Sequence, residues 1–374
     1  MTDDHIVALS DCRSYDQAAV DRAVAEAARA AGLPSMTGAT VLLKPNLLLS
    51  SDPIRAATTH PAVVRAAARA VKAAGAARVL VGDSPGWQAL SSVAGKTGMQ
   101  DVIASEGLLW ADFSDPVTVD LPGGGMMRRF ELARAVADAD IVVNLPKLKT
   151  HGLMYYTGAV KNLFGCVPGL RKSAFHLRFP GRADFARMLA DLYLAVKPAF
   201  CVMDAVVGME GPGPNNGKPR DIGLILAAKN GFDLDWIAAG VIGYDPADVP
   251  YLAVAAGDTR YGFEPSAIKT VGEDPARRVV PHFQRVRVLK ETDFFKRHMP
   301  AWLHRLARNL TVARPFFSDR RCVRCGACVK ICPATALRFE DGKNAPLVDY
   351  SSCIRCYCCH EVCPADAIRL RRLP

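Results

Sequence analysis

A chain of 374 residues, half of them hydrophobic, is long enough for two domains and apolar enough for a sizeable core, which excludes disorder as its overall state. Its formal charge of +10 would suit an acidic partner. The basic residues are nevertheless spread along the chain without an aromatic-interleaved stripe, so no nucleic-acid partner is expected.

The N-terminal stretch MTDDHIVALSDC is acidic where a secretory signal would be basic, and no apolar run approaches the ~20 residues that span a bilayer. The expectation is a cytoplasmic protein without a transmembrane segment.

In chain order, HIVALS, TVLLKPN, ARVLVGDS, IVVNLPK, AFCVMDAV and IGLILAA read as strands. They are near-continuously apolar, as buried parallel strands are. Helical segments lie between them. Ser14 is a candidate cap for DQAAVDRAVAEAARAAG, and Pro61 opens PAVVRAAARAVKAAG. ADFARMLADLYLAV and FDLDWIAAGVIG continue the alternation. Strand and helix in turn predict an α/β domain over residues 1–290, built on a doubly wound, mostly parallel sheet.

Ligands of such sheets bind beyond the carboxyl ends of the strands. Those ends carry Lys44 and Asn46, Asp83, the run from Asn144 to His151, and Asp204 followed by Glu210. The segment GAVKNLFG, as a loop or short helix, would return Lys161 and Asn162 to the same edge. Lysines converging on one crevice favour an anionic ligand, and mutual repulsion or burial can lower a lysine pKa into a range useful for proton transfer. Lys44, Asn46, Asp83, Lys147, Lys149, Asn162, Asp204 and Glu210 are therefore candidate substrate contacts, and His151 and Lys161 candidate proton-transfer groups. The bland alternatives are a solvated strand face for Lys147 and Lys149, a structural histidine, and loop acids serving as caps. No G-x-G-x-x-G follows a strand and no G-x-x-x-x-G-K-[ST] loop is present, so neither Rossmann-type dinucleotide binding nor a P-loop is indicated.

Residues 291–317 join the large domain to a cysteine-rich C-terminal segment. Trp302, Leu303, Leu306 and Leu310 have helical spacing, which predicts a helical linker that packs between domains or, with Arg305 and Arg308 beside them, lies on a membrane surface.

Of twelve cysteines, nine fall between Cys322 and Cys363. CVRCGACVKICP and CIRCYCCHEVCP repeat at an offset of 31 residues, each reading C-x2-C-x2-C-x3-C-P. This is the spacing by which three thiolates hold one iron–sulfur cube while the fourth crosses to another. Zinc is less suited, because its sites use two C-x2-C pairs. Cys358, the ninth, has Ala327 as its counterpart and reads as a buried thiol.

Residues 318–374 resemble the bacterial two-cluster ferredoxins, a small α+β domain. The resemblance implies two [4Fe–4S] clusters, one on Cys322, Cys325, Cys328 and Cys363, the other on Cys353, Cys356, Cys359 and Cys332. KPN, GDSPG, NLPKLKTH with GAVKNLFG, the MEG-x-GP segment and DLDWIAAGVIGYDP together resemble the domain of unknown function 362 family, over roughly residues 5–265. That family is often joined to a ferredoxin-like domain and implies no common activity. At its acidic segment this chain reads Asn230-Gly-Phe-Asp233-Leu-Asp235, which leaves Asp235 as the better-matching acid.

The expectation is an iron–sulfur oxidoreductase that passes electrons from a one-electron donor such as ferredoxin or flavodoxin to a small anionic substrate. An electron-transfer adaptor, or a non-redox ligand-binding or acid–base enzyme with structural clusters, are the rival readings.

Overall fold

A computed structural model describes residues 5–86, 88–123, 125–286, 312–340 and 344–371. The predicted helix through Trp302, Leu303, Leu306 and Leu310 lies outside the described residues. The chain divides into two compact units, Met1–Lys172 with Arg182–Val286, and Ser173–Gly181 with Arg287–Pro374.

The first unit holds β1 (Ile6–Asp11), β2 (Thr40–Pro45), β3 (Arg78–Val81), β4 (Leu109–Trp110), β5 (Pro116–Asp120), β6 (Arg129–Ala133), β7 (Ile141–Leu145), β8 (Lys147–His151), β9 (Tyr155–Thr157), β10 (Phe200–Glu210), β11 (Lys218–Ala228) and β12 (Lys269–Gly272). Ten of these form one sheet in the order β12-β1-β11-β10-β7-β2-β3-β4, with β8 beside β10 and β9 beside β8. The sheet is mostly parallel, the antiparallel pairs being β1–β11, β10–β11 and β8–β9. All six predicted strands are present. IGLILAA, however, runs antiparallel to both neighbours, because the EGPGPNNG connection is too short for a crossover and folds β10 and β11 into a hairpin. An unbroken apolar strand reports burial on both faces and carries no sign of direction.

The helices Gln17–Ala30 and Pro61–Ala73 pack on this sheet, where Val20, Val24, Val63, Val64 and Val71 meet Val41, Leu43, Val81 and Val143 in one core. Asp16, not Ser14, caps the first helix, accepting from the Ala19 N–H at 3.0 Å. Ser14 instead accepts from the Asp16 N–H at 3.3 Å. Pro61 sits at the start of the second helix as its fixed φ predicts.

The run after Asn144 stays in the sheet. Pro146 cannot donate to a ladder and interrupts pairing, after which β8 continues along β10, with Lys147 opposite Asp204 and Lys149 opposite Met209. β8 then turns back as β9, and the short helix Ala159–Asn162 comes next.

In the second unit β13 (Arg314–Phe317) pairs with β16 (Ile368–Arg371), and β14 (Leu337–Arg338) with β15 (Leu347–Val348). The end of the predicted helical linker is thus a strand, held by β16. Short helices Ala327–Ile331 and Cys358–Glu361 lie between, around a core of Leu337, Cys359, Cys363, Ala367 and Ile368. This is the expected small α+β arrangement. Among the described residues no helix is long and apolar enough to cross a membrane.

Candidate functional site

From β2 the chain proceeds to β3 on one side, while β7 lies on the other, so the sheet changes direction between β2 and β7. This is the kind of edge where open α/β sheets place ligands. Lys44 of β2 is in register with Asn144 of β7. Asn162 ties the two strands, its Nδ2 donating to Lys44 O at 3.2 Å and to Asn144 Oδ1 at 2.8 Å. Its Oδ1 accepts from Asn46 Nδ2 at 2.9 Å and from Lys44 Nζ at 3.2 Å. Lys44 Nζ also lies 2.9 Å from Asp83 Oδ1 and donates to Pro45 O at 3.0 Å, which employs all three ammonium protons. Asp83 receives further N–H groups from Leu47 at 2.6 Å and Ser84 at 2.9 Å. Gly165 closes over this pair: a Cβ there would fall 2.0 Å from Asp83 Oδ1 and 2.6 Å from Lys44 Nζ.

Lys147 and Lys149 are both buried. Lys147 Nζ contacts Asp204 Oδ2 at 2.8 Å and donates to Tyr15 OH at 2.7 Å, while Tyr15 OH donates to Asp204 Oδ1 at 2.9 Å. Burial lowers the Lys147 pKa against the opposing pull of Asp204. Burial and the Asp204 charge raise that of Tyr15. His60 stacks on Tyr15 at 3.6 Å between ring centroids, and burial lowers its pKa to about 4, so it is neutral at pH 7. Lys149 Nζ donates to Asn46 Oδ1 at 2.9 Å and to the Ala57 carbonyl at 2.7 Å, joining β8 to the Lys44 network.

His151 is buried and its Nδ1 accepts the N–H groups of Leu153 and Met154, each at 3.1 Å. The neutral ring therefore carries its proton on Nε2. Glu210 is buried and accepts from the Gln284 N–H at 2.9 Å. Lys161 Nζ stands over the Phe164 ring at 5.6 Å. The helix bearing Lys161 and Asn162 is anchored by Asp235, which accepts from the N–H groups of Ala159 at 2.6 Å and Val160 at 3.0 Å and from the hydroxyls of Tyr156 and Tyr251, each at 3.1 Å. Burial outweighs these four donors and pushes the Asp235 pKa up to about 7.

Lys172 carries a signal that its lone position in the sequence did not reveal. Its Nζ donates to the Ser84 carbonyl, its single protein acceptor among the described residues. Burial, with the Lys44 ammonium nearby and Asp83 opposing, lowers its pKa to about 8. Ser84 Oγ in turn accepts from the Gly169 N–H at 2.7 Å, which folds the segment carrying Lys172 over the end of β3. Tyr15 and His60 were likewise silent as motifs. Only the contacts at β10 bring them to Lys147.

In the second unit the cysteines sort into two cavities. Cys322, Cys325, Cys328 and Cys363 line one. Cys332, Cys353, Cys356 and Cys359 line the other. Backbone N–H groups reach sulfur at repeat-related positions, Ala336 to Cys332 Sγ and Ala367 to Cys363 Sγ, each at 3.3 Å. Left-handed backbone recurs at the same offset: Arg324 with Arg355, Gly326 with Tyr357, Thr335 with Asp366. Among the described residues no three His, Cys, Asp or Glu side chains converge on a point as a single ion requires. Four thiols spaced around a void, with N–H groups aimed at sulfur, suit a cluster rather than one metal ion. Cys358 lies at the wall of the second cavity and is buried.

The sequence model of a domain of unknown function, DUF362, matches residues 41–240 of this chain. The thylakoid-associated protein sll1697 of Synechocystis sp. is 35% identical to it over 266 residues, which are 69% of this chain and 79% of the relative. The chain belongs to the DUF362 family. A 4Fe-4S dicluster domain matches residues 314–364, and the protein is an iron–sulfur protein with [4Fe–4S] clusters. Lactate racemase apoprotein from Thermoanaerobacterium thermosaccharolyticum is a solved structure similar in part, at 15% identity and TM-score 0.40, over 65% of this chain and 58% of that one. A protein of Thermotoga maritima is 12% identical at TM-score 0.36, over 57% of this chain and 56% of that one. This chain spans less than two thirds of either structure.

The DUF362 match contains Lys44, Asn46, Asp83, Asn144, Lys147, Lys149, His151, Lys161, Asn162, Lys172, Asp204, Glu210 and Asp235. Lys44, Asn46, Asp83, Asn144, Lys149 and Asn162 join in one connected network at the DUF362 sheet edge, and Lys147 with Asp204 forms a second beside β10.

Proposed function

We propose that this DUF362 protein is an iron–sulfur oxidoreductase, acting in the cytoplasm, that uses reducing equivalents from an external one-electron carrier on a small anionic substrate at the sheet edge. In this reading Cys322, Cys325, Cys328 and Cys363 would hold one cluster, and Cys332, Cys353, Cys356 and Cys359 the other. When bound, the clusters supply reversible one-electron transfer.

The observation that carries the reading is the state of the lysines. An adaptor docking through Lys147 and Lys149 would need them exposed, whereas both are buried and held by Asp204, and by Asn46 with the Ala57 carbonyl. Fixed buried charges of this kind preorganise a site at the expense of stability, which a docking surface has no use for. In this reading Lys44, Asp83 and Asn162 would brace the site and Lys161 and Lys172 would be the cations that meet an anion; Lys172, with a pKa of about 8, can give or take a proton near neutrality. His151, with Nδ1 committed to two N–H groups, can hand over only its Nε2 proton.

The test is reoxidation of the reduced, cluster-loaded protein by a panel of small anions. Substrate-dependent reoxidation that is lost in Lys161→Ala and Lys172→Ala, with iron content unchanged, supports the reading. Reoxidation by no anion, or at unchanged rate in both variants, rejects it.

A further inference from the structure

The two halves of the cysteine repeat share left-handed backbone positions and N–H bonds to sulfur but have different surfaces. Residues 318–333 carry Arg320, Arg321, Arg324 and Lys330 against Asp319, a formal +3. The matching residues 349–364 carry Arg355 against Asp349 and Glu361, a formal −1. The repeat thus substitutes Ser351 for Arg320, Ser352 for Arg321 and Glu361 for Lys330.

Exposure divides the same way. In the first half Cys325 is exposed, Val323 is 61% exposed, and Arg320, Arg324 and Lys330 are exposed. In the second half the equivalents of Arg324 and Gly326, Arg355 and Tyr357, are buried, and each is tied down locally. Arg355 donates to the Val312 carbonyl at 3.0 Å and the Tyr357 hydroxyl to the Ala313 carbonyl at 3.1 Å. Val312 and Ala313 therefore hold down two residues of the second cavity's wall, while among the described residues Cys325 stays exposed beside the first. Arg321 is held by Asp366 at 2.8 Å, while the Arg320 and Lys330 side chains make no ion pair or hydrogen bond among the described residues.

We infer that the exposed face of the first half, centred on Val323 and Cys325 and ringed by Arg320, Arg324 and Lys330, is the docking surface for an acidic one-electron carrier protein. It rests on the redox reading above. A small apolar centre within a basic rim fits such a carrier, whose acidic surface surrounds its redox centre. Charge complementarity of this kind sets encounter rate and orientation more than affinity. In this transfer the carrier would be oxidised by one electron and the cluster that Cys322, Cys325, Cys328 and Cys363 would hold would be reduced by one, with no proton or group transferred.

The experiment uses full-length, cluster-loaded protein and a reduced acidic flavodoxin as the probe, with photoreduced deazaflavin as a small reductant that needs no docking. The variants are Arg320→Glu/Lys330→Glu and, on the other half, Ser351→Glu/Ser352→Glu. Cluster bleaching is followed by stopped flow, and binding of oxidised flavodoxin by chemical-shift titration. The Arg320→Glu/Lys330→Glu pair should slow reduction by flavodoxin about tenfold or more at low ionic strength and abolish most of its salt dependence, with weakened binding and an unchanged deazaflavin rate. The serine pair should leave all of these as in the parent protein. Equal flavodoxin rates and binding in the parent and the arginine–lysine variant, or a larger loss in the serine pair, would overturn the docking surface. Failure of deazaflavin itself to reduce the parent protein would instead overturn the redox reading on which it rests.

Discussion

Lys44 Nζ lies 2.9 Å from Asp83 Oδ1 with both side chains buried at the carboxyl ends of adjacent strands. Every proton of the ammonium is used and the carboxylate receives two further N–H groups. Removing either partner leaves a buried uncompensated charge. Lys44→Met and Asp83→Leu should each destabilise the protein by about 3–5 kcal/mol, with the double variant costing less than either single change. Denaturant unfolding of the four proteins closes this cycle, and additive losses would contradict the pairing.

Gly165 seals that pair. A methyl at this position would meet Asp83 Oδ1 at 2.0 Å and Lys44 Nζ at 2.6 Å, and either could move only by giving up hydrogen bonds that hold it. Gly165→Ala should cost about 1–3 kcal/mol, and a Gly169→Ala change, with nothing near its Cβ but a left-handed φ of 49°, should cost less. Comparing the two midpoints separates close approach from backbone conformation.

Lys172 is expected to be the most reactive of the buried-edge amines. Its neutral fraction rises through pH 8, well below the ~10.4 of an ordinary lysine, so acylation of the Lys172 peptide should show a midpoint near 8. Peptide-resolved labelling across roughly pH 6–11 reads this directly. A Lys172 midpoint that coincides with bulk lysines would contradict the environment described.

Asp235 gives a pH signature in stability. Its folded pKa of about 7 is raised above the ~3.9 of an unfolded aspartate, so the folded state binds the proton more tightly. The stabilising contribution is complete below pH ~4 and is lost as pH rises through about 7. Asp235→Asn should flatten stability over this window. It should also loosen the helix Ala159–Asn162, because an amide accepts from the Ala159 and Val160 N–H groups with one oxygen only. Urea midpoints for both proteins between these limits make the comparison.

Much of this organisation was legible in the sequence. Six strands were readable from β-branched apolar runs, and the C-x2-C-x2-C-x3-C-P repeat announced its two halves because ligand spacing is a local property. Lys44 and Asp83 were legible as polar residues at strand ends, and Asn162 as one that the GAVKNLFG segment returns to the same edge. The partners that hold them were not, since Tyr15 reaches Asp204 across 189 residues and Asp235 reaches Ala159 across 76. Pairing over such separations leaves no spacing to read. Strand direction in the β10–β11 hairpin escaped for a related reason: apolar continuity reports depth in the core, while direction depends on the connection.

Cys358 separates ligand from neighbour. Cys358→Ala should retain the full iron and sulfide complement, whereas Cys356→Ala, which removes a wall of the same cavity, should lower it. Equal loss in both would require the ligand assignment of the second half to be redrawn.

Two electron-carrying clusters are tested most directly on full-length protein purified without oxygen, by iron and sulfide analysis and then reduction with a strong donor and low-temperature EPR. About eight irons per chain are expected, as two [4Fe–4S] clusters require, with two interacting signals that appear on reduction. Zinc in place of iron, or clusters that no donor reduces, would contradict the redox assignment.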